Sequence, residues 1–359
     1  MGRFYKYSRK MQSLIKEKIK NILAISSTGI GNVILYTPVL KSLRNNFPDA
    51  NISLIVGSKQ AEEVLSGSDI VNEIIILEKE KMSIKKYLLF LSEIRRKNFD
   101  LVITSFLDKS FKVGLFSFLT GAKYRIGFDN GPQSIFYNYK VKIISEKHEV
   151  EYNLDLLRAM GLSELTSDLF FYIDDDSIKT AKNFLNENNI SEKDFIIGIH
   201  PGSARWKRWP KEKYSQLCSE LINLYNSKII IFGSEDEKEL ADFIVNSTNG
   251  KIISACGLFN LKETGSLIKM CKCFICNDTG LMHVASAMKI PVIAIFGPTL
   301  HWKNYPWNTK HIIVRKNLEC SPCYNYDKIK CKNNFNCLDS IKIEEVLNAF
   351  KEIYNEINK

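Results

Sequence analysis

Apolar positions along this chain fall into two alternating rhythms. Runs of strand length, mainly apolar throughout, occur at Asn21–Ser27, Ile52–Val56, Glu73–Leu77 and Leu101–Ser105, and helical periods such as Ile84–Arg96 and Glu149–Met160 separate or follow them. A helical stretch also leaves the turn at Thr28–Gly31 towards Asn45, and Pro38 either kinks it or starts it with Thr37 as cap. A second series places strands at Phe195–His200, Lys228–Phe232, Lys251–Ser254, Cys273–Cys276 and Ile290–Phe296. Its helices follow at Lys211–Tyr225, Glu237–Val245, Lys262–Lys269 and Gly280–Met288. Uniformly apolar strands suit a parallel sheet covered on both faces, and their alternation with helices predicts βαβ units.

The chain is thus expected to be α/β, with two Rossmann-like, doubly wound parallel-sheet domains. A basic tail covers 1–20, the first domain 21–180, the second 181–340 and a last helix 341–359. At 359 residues there is length for two substantial cores. No apolar run approaches the roughly 20 residues of a membrane span, and no secretory signal is expected, which points to the cytoplasm. The net charge of +10 is uneven: Arg3, Lys6, Arg9, Lys10, Lys16, Lys18 and Lys20 face only Glu17 in the first 20 residues, with Phe4, Tyr5, Met11, Leu14, Ile15 and Ile19 interleaved. That tail reads either as a contact with an anionic membrane surface or as a solvated basic arm. The remaining charge is diffuse and shows no nucleic-acid recognition module.

Chemistry concentrates at strand ends in the second half. The run Cys276–Thr299 joins a strand to Asn277-Asp278-Thr279-Gly280 and then to a helix with Leu281, Val284, Ala285 and Met288 as its apolar stripe. Thr279, His283 and Ser286 fall on the opposite face, so His283 is read as a ligand contact rather than a core histidine. A strand feeding a polar-capped helix presents free N–H groups and a positive dipole end, which is a phosphate site. Two further loops share the sheet: Pro201–Pro210, with small residues and the cations Lys207 and Arg208, and Gly233–Glu237, whose acids can accept ribose hydroxyls or cap a helix. Singly each is a turn; together they fit a nucleotide diphosphate. In the first half, Gly29-Ile30-Gly31 is an incomplete dinucleotide fingerprint. Asp174-Asp175-Asp176 reads as a helix cap rather than a metal site. The absence of a G-x-S-x-G elbow argues against hydrolase chemistry.

Four pieces in order resemble the lipopolysaccharide heptosyltransferases (glycosyltransferase family nine): Gly29–Pro38, His200–Ser203 with Lys207–Pro210, Phe232–Glu235, and Asn277–Ala285. The resemblance implies a GT-B fold, with the nucleotide sugar held by the second domain, the acceptor by the first, and a last helix that crosses back onto the first domain. It also implies an inverting, metal-independent transfer of heptose from ADP-heptose to a lipid-linked core oligosaccharide, with no cofactor. Carried over, Ser203 and Lys207 contact the diphosphate, and Asp278, Thr279, Gly280 and His283 complete its cradle. Glu237, or else Glu235, holds the ribose; the Phe259 region borders the adenine; and Gly31 lies in the acceptor-side turn. Asn32 stands where many members carry the aspartate thought to be the general base. An amide cannot serve as a base, so either another carboxylate, such as Asp108 or Asp129, replaces it, or Asn32 only orients the acceptor, or the chain binds sugar nucleotide without turning it over. An epimerase on the same fold is a further alternative. Finally, Cys320, Cys323, Cys331 and Cys337 include one Cys-x2-Cys half-site, but the second pair is atypically spaced, so free thiols or a disulfide are favoured over a metal.

Overall fold

The structure is a computed structural model that describes residues 19–77, 83–191, 193–248, 250–323 and 331–359. The expected membrane contact of the basic tail rests on residues 1–18, outside the described part. Two compact units divide the chain, Met1–Tyr172 and Ile173–Lys359. In the first, strands β1 (Asn21–Ser26), β2 (Asn51–Val56), β3 (Glu73–Ile76), β4 (Leu101–Thr104), β5 (Tyr124–Phe128) and β6 (Tyr139–Val141) form one parallel sheet in the order β3-β2-β1-β4-β5-β6. Its longer helices are α1 (Ile30–Asn46), α2 (Ile84–Arg96), α3 (Phe111–Leu119) and α4 (Glu149–Ala159). Leu23, Ile25, Ile55 and Val102 share a core with Ile94 of α2 and Val113 and Phe116 of α3, while α1 packs on α4.

Pro38 neither starts nor ends α1; it lies inside the helix. A proline there leaves the carbonyl four residues back without its N–H partner. That carbonyl belongs to Ile34, and Thr37 Oγ1 donates to it at 2.7 Å while accepting Phe170 N–H at 2.9 Å. The expected cap residue therefore repairs the helix interior.

The second unit opens with α5 (Asp175–Glu187), whose N-cap Asp174 accepts Ser177 N–H at 2.8 Å, as the acidic run predicts. Strands β7 (Ile196–His200), β8 (Lys228–Ile231), β9 (Ile253–Ser254), β10 (Cys273–Asn277), β11 (Val292–Ile295) and β12 (His311–Val314) pair in parallel in the order β12-β11-β10-β7-β8-β9. The intervening helices are α6 (Lys211–Tyr225), α7 (Lys238–Asn246), α8 (Leu261–Lys269) and α9 (Gly280–Ala287), and α10 (Ile343–Ile357) ends the chain. Read outward from their first strands, both sheets have the same order, which reverses between β1 and β4 in one and between β7 and β10 in the other. Ligands of open parallel sheets bind beyond the strand carboxyl ends at such reversals.

Two expectations about boundaries are corrected. The division falls at residues 172–173, not 180, because α5 buries Ala181, Phe184 and Leu185 and packs on α8 of the second unit. The final helix does not reserve its apolar stripe for the first domain. Val346, Ala349, Phe350 and Ile353 are buried in the second core with Ile197, Ile229 and Ile293, and Phe350 meets the rings of Phe195 and Tyr225 edge-on at 6.0 and 4.8 Å. All four tryptophans (Trp206, Trp209, Trp302 and Trp307) belong to this unit, so their fluorescence reports its unfolding alone. Phe350→Ala should cost about 3 kcal/mol or more and move the tryptophan-detected urea transition to lower denaturant; an unmoved transition would remove α10 from this core.

Candidate functional site

At the reversal of the second sheet, the loops after β7 and β10 are tied together by one buried amide. Asn277, fully buried at the end of β10, donates through Nδ2 to the carbonyls of Pro201 (2.8 Å) and Gly202 (3.2 Å) and accepts Trp209 N–H through Oδ1 at 3.1 Å. Trp209, itself buried, donates from its indole to Ile341 O at 3.2 Å. The His-Pro-Gly-Ser loop is thereby fixed against the start of α9.

On this frame sit the expected diphosphate residues. Ser203 Oγ donates to Asp278 O at 2.9 Å, and Lys207 Nζ pairs with the nearly buried Asp278 carboxylate at 2.8 Å. Lys207 also lies over the Trp206 ring, 5.1 Å from its centroid. Thr279 is the N-cap of α9 but makes no side-chain cap bond, leaving the first-turn N–H groups of Gly280, Leu281 and Met282 to face whatever binds there. His283 is one turn further in. It is buried, its Nδ1 has no hydrogen-bond partner, and burial pulls its pKa down to about 4 against the attraction of Asp278. The helix is covered on both faces: Met282, Val284, Ala285 and Ser286 are all buried, and Ser286 Oγ turns back to Met282 O at 2.8 Å. A face opposite the apolar stripe therefore does not mean an exposed face, and the expectation that His283 is no core residue fails as argued. Its proximity to Asp278 and Lys207 is what keeps it at the site.

In the acidic turn after β8 the capping alternative is seen: Ser234 and Glu237 form a reciprocal capping box. Glu237 ends a short 3-10 turn, Glu235–Glu237, and its Oε2 accepts from Ser234 N (3.1 Å) and Ser234 Oγ (3.3 Å) and contacts His200 Nε2 at 3.1 Å, while Oε1 lies 3.7 Å from Arg208. Burial alone would raise this carboxyl; the His200 bond and charge, the Ser234 N–H and Arg208 outweigh it and hold the pKa at about 2. Glycines make room for the turn: a Cβ on Gly202 would stand 2.0 Å from Glu237 Oε1, and one on Gly257 would stand 2.2 Å from Glu235 Oε2. Arg208 also donates from Nε to Ser203 O at 2.6 Å, joining the acidic turn to the Ser203 loop. Phe259 is half-buried, edge-on to Phe184 of α5 at 5.1 Å. Sequence reasoning does not single out Asn277 or His200; each is the polar last residue of a strand that gives way to a glycine-containing loop.

In the first unit, Gly31 and Asn32 lie in the first turn of α1, and Asn32 Nδ2 donates to Thr28 Oγ1 at 2.9 Å. The buried Asp108 accepts Ser27 N–H at 3.1 Å, Ser27 Oγ, and Ser105 Oγ at 2.7 Å, so both its oxygens bind β1 to β4. Asp129, just past β5, is exposed and anchored by its backbone N–H to Val141 O at 2.9 Å. The cysteines of the C-terminal region are free thiols. Burial raises Cys337 to about 11, with further contributions from Cys323, Cys331 and Cys320, so the four share one neighbourhood. Cys331 Sγ accepts Phe335 N–H at 3.1 Å and Cys320 Sγ accepts from Asn333 at 3.2 Å. Among the described residues no group of three or more His, Cys, Asp or Glu is arranged to hold a metal ion.

Because folding lowers the His283 pKa from 6.5 to about 4, the unfolded chain binds the proton more tightly. Stability from this group is complete above pH 6.5 and is lost as pH falls towards 4. The ring proton resonances of His283 should therefore stay at their neutral positions at pH 5.5, and His283→Asn should flatten the pH dependence of unfolding across that window. An NMR inflection near pH 6.5 would refute the desolvated ring.

Residues 88–333 match glycosyltransferase family 9 (heptosyltransferase). The chain is 27% identical over 341 residues to lipopolysaccharide heptosyltransferase 3 of Escherichia coli K12, covering 91% of this chain and 96% of that protein. It is 26% identical over 334 residues to lipooligosaccharide heptosyltransferase 2 of Campylobacter jejuni, with the same coverage. Among solved structures, a family 9 glycosyl transferase from Veillonella parvula superposes with a TM-score of 0.80 at 23% identity, covering 94% and 97% of the two chains. Escherichia coli ADP-heptose LPS heptosyltransferase II gives 0.74 at 22%, covering 94% and 100%. The two reversed sheets, the helix start beside Lys207 and the family match over most of the chain place it in glycosyltransferase family 9, the heptosyltransferases.

Proposed function

We propose that this chain transfers a heptose from ADP-heptose to a lipid-linked core oligosaccharide, with inversion at the anomeric carbon and without a metal ion. The observation that carries this is the pairing of the α9 N-terminus with Lys207 across the bonded loops after β7 and β10. Breaking the bond between the sugar and the diphosphate leaves negative charge on ADP. Oriented N–H groups and a fixed ammonium stabilise such charge without having to reorganise. Asp278 holds Lys207 Nζ in place, and Ser203, bonded to Asp278 O, brings a hydroxyl to the same edge. The Glu237 carboxylate, kept ionised, offers acceptor capacity for ribose hydroxyls beyond the bonds it makes to Ser234 and His200. The relatives named as heptosyltransferases, and the solved structure named for ADP-heptose, support the choice of donor.

The acceptor hydroxyl must lose a proton as it attacks. Asn32 cannot take it, and Asp108 spends its oxygens on three donors from Ser27 and Ser105. We assign the role of base to Asp129, the exposed carboxylate at the end of β5, with Asn32 orienting the acceptor. Attack from the face opposite the departing diphosphate gives inversion. The second reading, a sugar-nucleotide binder without turnover, rests on Asn32 alone. A lipid-linked acceptor places the work at the cytoplasmic surface of a membrane, and among the described residues no helix is long and apolar enough to cross one.

Calorimetric titration with ADP-heptose, followed by ADP release on adding core glycolipid, separates the readings: binding with acceptor-dependent release supports transfer, and binding without release supports the silent binder. Lys207→Ala should weaken ADP-heptose binding roughly tenfold to a hundredfold, the worth of a charge-assisted bond, with the circular dichroism spectrum unchanged. Asp129→Asn should abolish ADP release while leaving donor affinity intact; undiminished turnover would return the base to another group.

A further inference from the structure

The first unit exposes large apolar side chains in one region. Leu88 and Leu89 of α2, Phe111 and Phe118 of α3, Ile135 in the 3-10 turn Pro132–Phe136, and Ile143 with Ile144 after β6 are all solvent-exposed, Ile135 at 65% and Ile144 at 80%. Those of α2, α3 and the 3-10 turn belong to one piece of structure, and Ile143 and Ile144 follow β6, the strand paired with β5, which itself contacts that turn. Helix α3 packs on α2 and on the 3-10 turn, Phe90 stacks on Phe116 at 6.0 Å, and Phe111 and Phe118 approach Phe136 at 5.0 and 6.0 Å. Isolated exposed apolar residues need no account, but a contiguous set of this size marks a contact surface.

Charge decides among contacts. Between Lys109 and Ile144 the chain carries Lys109, Lys112, Lys123, Arg125, Lys140 and Lys142 against a single acid, Asp129. Lys112, Lys123, Lys140 and Lys142 are exposed, and Lys85 and Lys86 add to them from the first turn of α2. Arg125 lies over the Phe118 ring at 5.3 Å, setting a cation directly on an exposed aromatic. Apolar side chains ringed by lysines fit the boundary of an anionic bilayer, where chains enter the acyl region and ammonium groups meet phosphates. A second copy of this chain, with its own excess of lysines on that face, would meet like charge.

We infer that this face, built from α2, α3, the Pro132–Phe136 turn and the Ile143-Ile144 segment, docks on an anionic phospholipid surface. The inference deepens the reading of a lipid-linked acceptor and rests on it for its purpose. Phe111, Ile143 and Ile144 follow the carboxyl ends of β4 and β6, the edge of the sheet that also carries Asn32 and Asp129. Docking there brings the acceptor edge down to the headgroups from which a lipid-linked sugar projects, and the one acid in the stretch is the carboxylate assigned as base.

The test is co-flotation of the full chain with vesicles of phosphatidylcholine containing phosphatidylglycerol, compared with phosphatidylcholine alone. The parent should bind the anionic vesicles. I135S/I144S, which removes no charge, should bind at least tenfold more weakly, and L224S, exposed on the second unit, should match the parent. Both variants should keep the parent's circular dichroism and its ADP release with detergent-dispersed acceptor. Unchanged binding by I135S/I144S would overturn the inference and move lipid contact elsewhere, residues 1–18 included. A dimer in the parent that the double variant dissolves would also overturn it, making the face a self-interface. A parent that floats through this face but releases no ADP with any acceptor would leave the surface standing and remove the transferase reading.

Discussion

The second unit depends on a buried amide. Asn277 is the last residue of its strand, with no solvent to satisfy its side chain, and it finds its partners in two carbonyls and one N–H of the neighbouring loop. A buried polar group left unpaired costs about 1–3 kcal/mol, so the loop after β7 has few alternatives to the conformation seen. Everything that gives the site its chemistry follows from that registration. It sets where Ser203 meets Asp278, where Lys207 reaches, and how Arg208 links the acidic turn to the rest. The ordering cost of these loops is met during folding, so a ligand does not bear it.

The two sheets solve the same topological problem with different side chains. In each, the strand order reverses beside the first strand, and in each the loops at the reversal are cross-linked by a buried polar residue: Asn277 in one, Asp108 in the other. The first ties two loops through backbone groups and leaves the flanking Lys207 and Asp278 to each other and to a ligand. The second uses a carboxylate to bind Ser27 and Ser105, which consumes the group that chemistry would want.

Much of this was legible in the sequence, and the failures have physical reasons. Uniformly apolar strands and amphipathic helices announced themselves; α2 and α6 have the limits their periodicity predicts. The strands that escaped notice are β5, β6 and β12. In β5 a glycine and an arginine interrupt the apolar run, β6 is three residues long, and β12 offers only Ile312-Ile313-Val314 between His311 and Arg315, so none presents the long apolar run of a central covered strand. The domain boundary was misplaced because the stripe of α5 says only that it packs, not on which unit. The same ambiguity concealed the destination of α10. At the site, the residues gathered around the start of α9 were legible from their spacing, but the burial of His283 depends on what covers α9 from outside its own sequence. The commitment of Asp108 to two serines likewise required β1 and β4 to be adjacent, a fact of topology rather than of local pattern.

The acidic turn after β8 carries an implication for how this surface can vary over generations. Its carboxylates rest against two glycines so closely that the smallest side chain at Gly202 or Gly257 would occupy the space of Glu237 or Glu235. At Gly257 the backbone itself holds a φ of +72°, which glycine adopts without strain, and at Gly202 a side chain would have to push the Glu237 carboxylate away from His200 and Arg208. A change at Gly202 is therefore felt first by the His200–Glu237–Arg208 cluster, whereas Gly257 is held by its own backbone.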